Sequence, residues 1–126
     1  MSKHKVVHFE IPASDFQKAR EFYGKIFDWK LDMWEDRYMM ATTTDVNEQH
    51  RPTEPGGING GFYKRQSKSA QPSIVVETDS IEQTLSAVEK AGGRVTQAKH
   101  PIGDMGFMAE FTDPDGNEIG LWQNAK

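Results

Sequence analysis

Apolar residues recur at helical spacing in two segments of the chain and alternate with polar ones in much of what lies between. Phe16, Ala19, Tyr23, Ile26 and Phe27 make one stripe and Ile81, Leu85, Val88 and Ala91 a second, with three positions repeated at an offset of 65 residues. Spacings of three and four residues put such side chains on one helix face, so both segments predict amphipathic helices packed on one side. Each follows a capping-box match, Ser14-Asp15-Phe16-Gln17 and Asp79-Ser80-Ile81-Glu82. In such a box the first side chain caps the helix and the last reaches back to the cap.

A strand is predicted ahead of each helix, over Val6 to Ile11 and Ser73 to Thr78. Three follow each helix: Trp29 to Glu35, Tyr38 to Thr44 and Ile58 to Lys64, then Arg94 to His100, Phe107 to Thr112 and Glu118 to Gln123. Turn chemistry separates them at Glu35-Asp36-Arg37, Pro55-Gly56-Gly57, Gly103 to Gly106 and Asp113-Pro114-Asp115-Gly116-Asn117, and Gly92-Gly93 is placed to close the second helix. The polar stretch Asp45 to Glu54 reads as a long loop and the most mobile element, while His50 and His100 read as loop residues. The expected fold is α+β: one domain of two βαβββ modules, about 1–65 and 72–126 with a linker at about 66–71, forming a cavity between curved mixed sheets.

Strand alternation sorts side chains into those that face a helix and those that face the cavity. Val7, Phe9 and Ile11 suit the helix side, which leaves His8 and Glu10 inward. By the same rule Tyr38, Met40 and Thr42, then Asn59, Gly61 and Tyr63, then Met108, Glu110 and Thr112, then Glu118, Gly120 and Trp122 face the cavity. The glycines of Gly56 to Gly61 read as space that lets a ligand approach the backbone closely.

Composition narrows the function classes. The chain has 126 residues, 15 Lys and Arg against 19 Asp and Glu, and a formal net charge of −4. Both charge signs are scattered, which leaves no basic stripe for nucleic acid. No apolar run approaches the roughly 20 residues that cross a bilayer, so no membrane partner is expected. The sequence lacks cysteine, which excludes disulfides and a cysteine nucleophile. With no leader-like segment ahead of Val6, it reads as cytoplasmic and mature from Met1.

Three segments carry a resemblance to a known family: Val7-His8-Phe9-Glu10-Ile11, Phe22-Tyr23-Gly24-Lys25-Ile26-Phe27-Asp28-Trp29, and Phe111 through Trp122 with its Asp113-Pro114-Asp115-Gly116-Asn117-Glu118 core. Together they resemble the vicinal oxygen chelate superfamily of glyoxalase I, extradiol dioxygenases and bleomycin- and fosfomycin-resistance proteins. The Gly56 to Gly61 run and the Gly120-Leu121-Trp122-Gln123 ending are most similar to a glyoxalase-related branch with no one defined activity. The resemblance implies divalent-metal ligands on the first and fourth strand of each module, which map to His8, Gly61 (or Gly60 if the register slips), Ser73 and Gly120. A catalytic ion needs about three protein ligands, and only His8 is suited, so no cofactor is expected. A displaced divalent-metal site would draw on His8, Glu10 and Glu118.

The function that follows is binding of a small, partly apolar molecule, by analogy with the drug-sequestering members. Tyr38, Asn59, Gly61, Tyr63, Met108 and Trp122 are the expected ligand-binding residues, with Trp34 and Met40 adding apolar surface. The alternative is a lyase or isomerase in which His8 or Glu10 moves a proton. A third possibility is a module that acts through protein contacts with a vestigial pocket. A homodimer is expected from the resemblance and from the small size of the domain.

Overall fold

The computed structural model describes residues 3–125; Met1, where the mature chain is expected to begin, lies outside them. Eight strands and two helices follow one another as β1 Val6–Ala13, α1 Phe16–Phe27, β2 Lys30–Glu35, β3 Tyr38–Thr42, β4 Asn59–Lys64, β5 Ser73–Glu77, α2 Ile81–Lys90, β6 Arg94–Ile102, β7 Gly106–Thr112 and β8 Glu118–Asn124. The order is βαβββ twice. The chain divides into two compact units between Pro72 and Ser73, and the residues before His8 go with the second unit. There the backbone N–H of Glu77 donates to the carbonyl of Lys5 at 2.9 Å.

Both helix starts differ from expectation by one residue. Asp15, not Ser14, caps α1 by accepting from the Lys18 N–H, and Ser80, not Asp79, caps α2 by accepting from the Gln83 N–H. A capping side chain accepts from the amide two or three residues ahead of it, and each box carries two adjacent residues able to do so. Gln17 bonds Glu21 instead of reaching back. Gly92 adopts φ +100° past the end of α2, where Gly93 N–H donates to Val88 and Gly92 N–H to Glu89. These are the paired bonds of a Schellman closure.

In the N-terminal unit the strands run in the order β2-β3-β4-β1, with β1 and β4 parallel and the other pairs antiparallel. Leu31, Met39, Ala41, Phe62 and Ala13 form its core, covered by Phe16, Ala19 and Tyr23 of α1 together with Phe9, Ile11 and Trp29. These residues alternate with those on the opposite face, so the helix covers one side of the sheet. The Asp45 to Glu54 segment is tied down rather than open: Val46 bridges Pro52, and the Asn47 side chain accepts from the Gln49 and Arg51 amides. Within it His50 takes a positive φ of 61°.

In the C-terminal unit the order is β5-β8-β7-β6, again with the pair β5 and β8 parallel. Ile81, Ala109 and Leu121 are its buried centre, with Val76, Leu85, Phe107 and Phe111 packed around them. The strand β6 extends past the expected end at His100 to Ile102. The strand carries Pro101 because β6 lies at the end of this strand order, where a missing ladder N–H is tolerated. The turn Asp113 to Asn117 is structural: the Asp113 carboxylate accepts from the Asp115 and Asn117 amides and from the Asn117 side chain.

Candidate active site

The register of the N-terminal sheet sets three rows of side chains on the face opposite α1. Asn59 and His8 share one, Met40, Gly61 and Glu10 the next, and Tyr38 and Tyr63 the third. The middle row has a gap at Gly61, and Tyr38 fills it. A Cβ built on Gly61 would collide with the Tyr38 phenol, oxygen included. The ring therefore lies diagonally across β4 from the third row toward the first. There its Oη is 2.8 Å from Nε2 of His8 and also hydrogen-bonds the Glu10 side chain.

Two consecutive glycines thus serve opposite faces, because a Cβ on Gly60 would meet the Phe9 ring on the helix side. The sequence reading of Gly61 as room for a ligand is corrected: that room is occupied by Tyr38. Asn59 is also reassigned. Its Oδ1 accepts from the amides of Thr43 and Thr44 at 2.6 and 2.9 Å, and its Nδ2 donates to the Thr44 carbonyl. The amide holds the chain as it leaves β3, which is why that strand stops at Thr42 and not at the expected Thr44.

Proton inventory fixes the cluster. A carboxylate only accepts, and a phenol has one proton to give, so Tyr38 donates to Glu10 and accepts from a protonated Nε2 of His8. Burial holds the His8 pKa down to about 4, leaving the imidazole neutral. Burial raises the Tyr38 phenol well above its ordinary value, and the charge and hydrogen bond of Glu10 add to this. Trp34 stands edge-on to Tyr38, ring centroids 6.2 Å apart, and Met40 pairs with Gly61 in register. The face therefore has a polar side on β1 and an apolar side on β2 and β3.

The corresponding face of the C-terminal sheet carries Met108 paired with Trp122, Glu110 paired with Gly120, and Thr112 paired with Glu118. Burial raises the pKa of Glu110; the charge of Glu118 adds to this and that of His100 opposes it. His100 is thus a strand residue, paired with Met108, and the expectation of a loop residue is corrected. Trp122 donates from Nε1 to Asn124, which in turn donates to Glu77. Sequence alternation had placed Glu110 on this face, but its perturbed carboxyl depends on His100 and Glu118, which come from two other strands.

Of the four positions that the resemblance assigns to a divalent ion, Gly61 and Gly120 offer no side chain, and Tyr38 stands where a Gly61 side chain would project. His8 already shares its Nε2 with Tyr38. The residues present do not fit that ion. Among the described residues no group of three or more His, Cys, Asp or Glu side chains is placed to hold a metal.

Residues 5–121 match the family model of the glyoxalase/bleomycin resistance protein/dioxygenase superfamily. The chain belongs to this superfamily. It is 29% identical over 126 residues to "Putative glyoxylase CFP32" of Mycobacterium tuberculosis, and 25% identical over 130 residues to the anthracycline biosynthesis protein DnrV of Streptomyces peucetius. These alignments take in 90% and 91% of this chain but 43% and 45% of those proteins, so the chain spans about half the length of the curated relatives it matches. In fold it is similar to a superfamily member from Vibrio splendidus (TM-score 0.64, 13% identity, 97% of this chain and 100% of that one). It is similar also to a Streptomyces coelicolor methylmalonyl-CoA epimerase variant solved with 2-nitronate-propionyl-CoA (TM-score 0.69, 14% identity, 99% and 100%). The two-module α+β architecture is that of the superfamily. Among the described residues no helix is long and apolar enough to cross a membrane.

Proposed function

We propose that the protein binds a small, partly apolar organic molecule on the N-terminal face that bears His8, Glu10 and Tyr38, without the divalent-metal site of its superfamily. The observation that carries this reading is the Tyr38 ring laid across Gly61, with its hydroxyl engaged by His8 and Glu10. A hydrogen-bonding cluster beside exposed apolar surface suits an organic ligand with one polar edge. The name of the Streptomyces peucetius relative, an anthracycline biosynthesis protein, supports a ligand of that character. The same reading makes the protein a cytoplasmic homodimer; sedimentation as a single 14.3 kDa species would remove the dimer.

One observation favours a second reading, a lyase or isomerase: His8, Tyr38 and Glu10 form a continuous hydrogen-bonded line along which a proton could move. Two measurements on one preparation separate the readings. A panel of aromatic and aliphatic metabolites is expected to raise the melting temperature for some aromatic members. Turnover of methylglyoxal and glutathione in the presence of added Ni²⁺ or Zn²⁺ is expected at background, because that chemistry relies on a bound metal. Metal-dependent turnover abolished by His8→Ala would overturn the binding reading.

A further inference from the structure

A neutral imidazole has one nitrogen that donates and one that accepts. In His8 the donor is Nε2, held by the Tyr38 hydroxyl at 2.8 Å, so the lone pair lies on Nδ1; the bond made by one ring nitrogen fixes the state of the other. Among the described residues no group donates to that lone pair. Asn59, the neighbour of His8 in register, turns its amide to Thr43 and Thr44, and the single phenol proton of Tyr38 goes to Glu10. Nor is Nδ1 sealed in the interior. Among the described residues the one buried side-chain nitrogen or oxygen without a hydrogen-bond partner is Nε of Arg20, so Nδ1 of the half-buried His8 opens to solvent. Burial holds the His8 pKa down to about 4, and Nδ1 keeps its lone pair where an ordinary histidine gains a proton.

We propose that Nδ1 of His8 is the atom on which the ligand is recognised: it accepts a hydrogen bond from a weakly acidic O–H or N–H, so that the ligand binds in its neutral, protonated form. Tyr38 is the positioning residue, because its bond to Nε2 fixes the tautomer that leaves Nδ1 accepting. This rests on the binding reading above and names the chemistry of the ligand's polar edge. His8 and Tyr38 are both neutral, so neither offers a positive charge to the ligand's conjugate anion.

The test uses 4-nitrophenol and its methyl ether, 4-nitroanisole, titrated against the full chain at a pH between the pKa of His8 and that of the phenol. The phenol is expected to bind at least about tenfold more tightly than the ether, without the visible band of the phenolate. His8→Gln sets an amide nitrogen near the Nε2 position, which keeps a donor to Tyr38 and removes the acceptor at Nδ1; it is expected to bring the ratio close to one. His8→Asn sets an amide oxygen near Nδ1 and is expected to retain part of the ratio, a split that a merely structural role for His8 would not produce. Melting curves check that both variants fold. Long-range nitrogen NMR of the wild type reads the atom itself: the phenol is expected to shift Nδ1 and to leave the proton on Nε2. Equal affinity for the two probes, a bound phenolate, or a proton on Nδ1 in the free protein would each overturn the inference and leave the binding reading standing. Binding of neither probe up to millimolar concentration would overturn the inference as well, while the melting panel of metabolites decides the binding reading separately.

Discussion

The two units place a glycine at the same point of the same ladder and surround it with opposite chemistry. Gly61 faces Glu10 on the parallel neighbour and Met40 on the antiparallel one, whereas Gly120 faces Val75 and Glu110. The polar side of the face has changed strands. What fills the gap also differs: at Gly61 the Tyr38 ring occupies the space a Cβ would need, and at Gly120 the nearest atoms are Val75 Cγ2 at 3.1 Å and Met108 Cε at 3.6 Å. A glycine at a position that the resemblance assigns to a ligand is therefore not itself a site. The side chain that reaches over it decides, and a hydrogen-bonded phenol builds a defined cluster where a flexible thioether does not.

Alanine at the two glycines separates the units most strongly. Gly61→Ala is expected to cost about 3 kcal/mol, because the hydrogen-bonded Tyr38 ring has to leave, while Gly120→Ala is expected to cost less than about 1 kcal/mol. Urea unfolding of both variants measures the difference, and Tyr38→Ala should rescue most of the loss at Gly61. Equal costs would mean that Tyr38 does not rest on Gly61.

The pH dependence of stability runs in opposite directions in the two faces. His8 is held at about 4 against 6.5 for the free side chain, so the folded state binds fewer protons than the unfolded one. Its contribution is fully present above pH 6.5 and is lost as pH falls through about 4, about 3 kcal/mol in all. Unfolding free energies of the wild type and His8→Gln at pH 7 and pH 4 isolate that term.

Tyr38→Phe strips the His8 N–H and the Glu10 carboxylate of a shared partner and is expected to destabilise by about 2 kcal/mol. The smallest effect belongs to Glu110, whose raised pKa means that the folded state binds more protons. Its stabilising contribution is present below the unfolded carboxyl pKa and is lost as pH rises through the folded value. Glu110→Gln should accordingly raise the melting temperature at pH 7 and leave it unchanged at pH 3. The reverse pattern would place the carboxylate in an attractive rather than a crowded field.

Much of this architecture is legible in the order of residues. The repeat of Phe16 and Ile81, the strand starts at Tyr38 and Glu118 and the αL glycine at Gly92 follow from spacing and local sterics, which act over a few residues. The caps fall at Asp15 and Ser80, one residue past the first side chain of each box, because adjacent polar residues compete for the same role. The site is less legible. Alternation assigns Tyr38 to a face but not its diagonal reach across β4, which depends on the empty Cβ position of a residue 23 places along the chain. Asn59 gives no local sign that its amide is committed to Thr43 and Thr44, and the field on Glu110 comes from His100 and Glu118 on other strands.

The central proposal is that His8, held in a hydrogen-bond cluster with Tyr38 and Glu10, does not serve as a metal ligand. Titration of the purified protein with Co²⁺, followed by visible absorption and by the melting temperature, tests it most directly. The expected result is no stoichiometric ligand-field band and no change in melting that depends on His8. One equivalent of Co²⁺ bound with a saturable band, lost in His8→Ala, would contradict it.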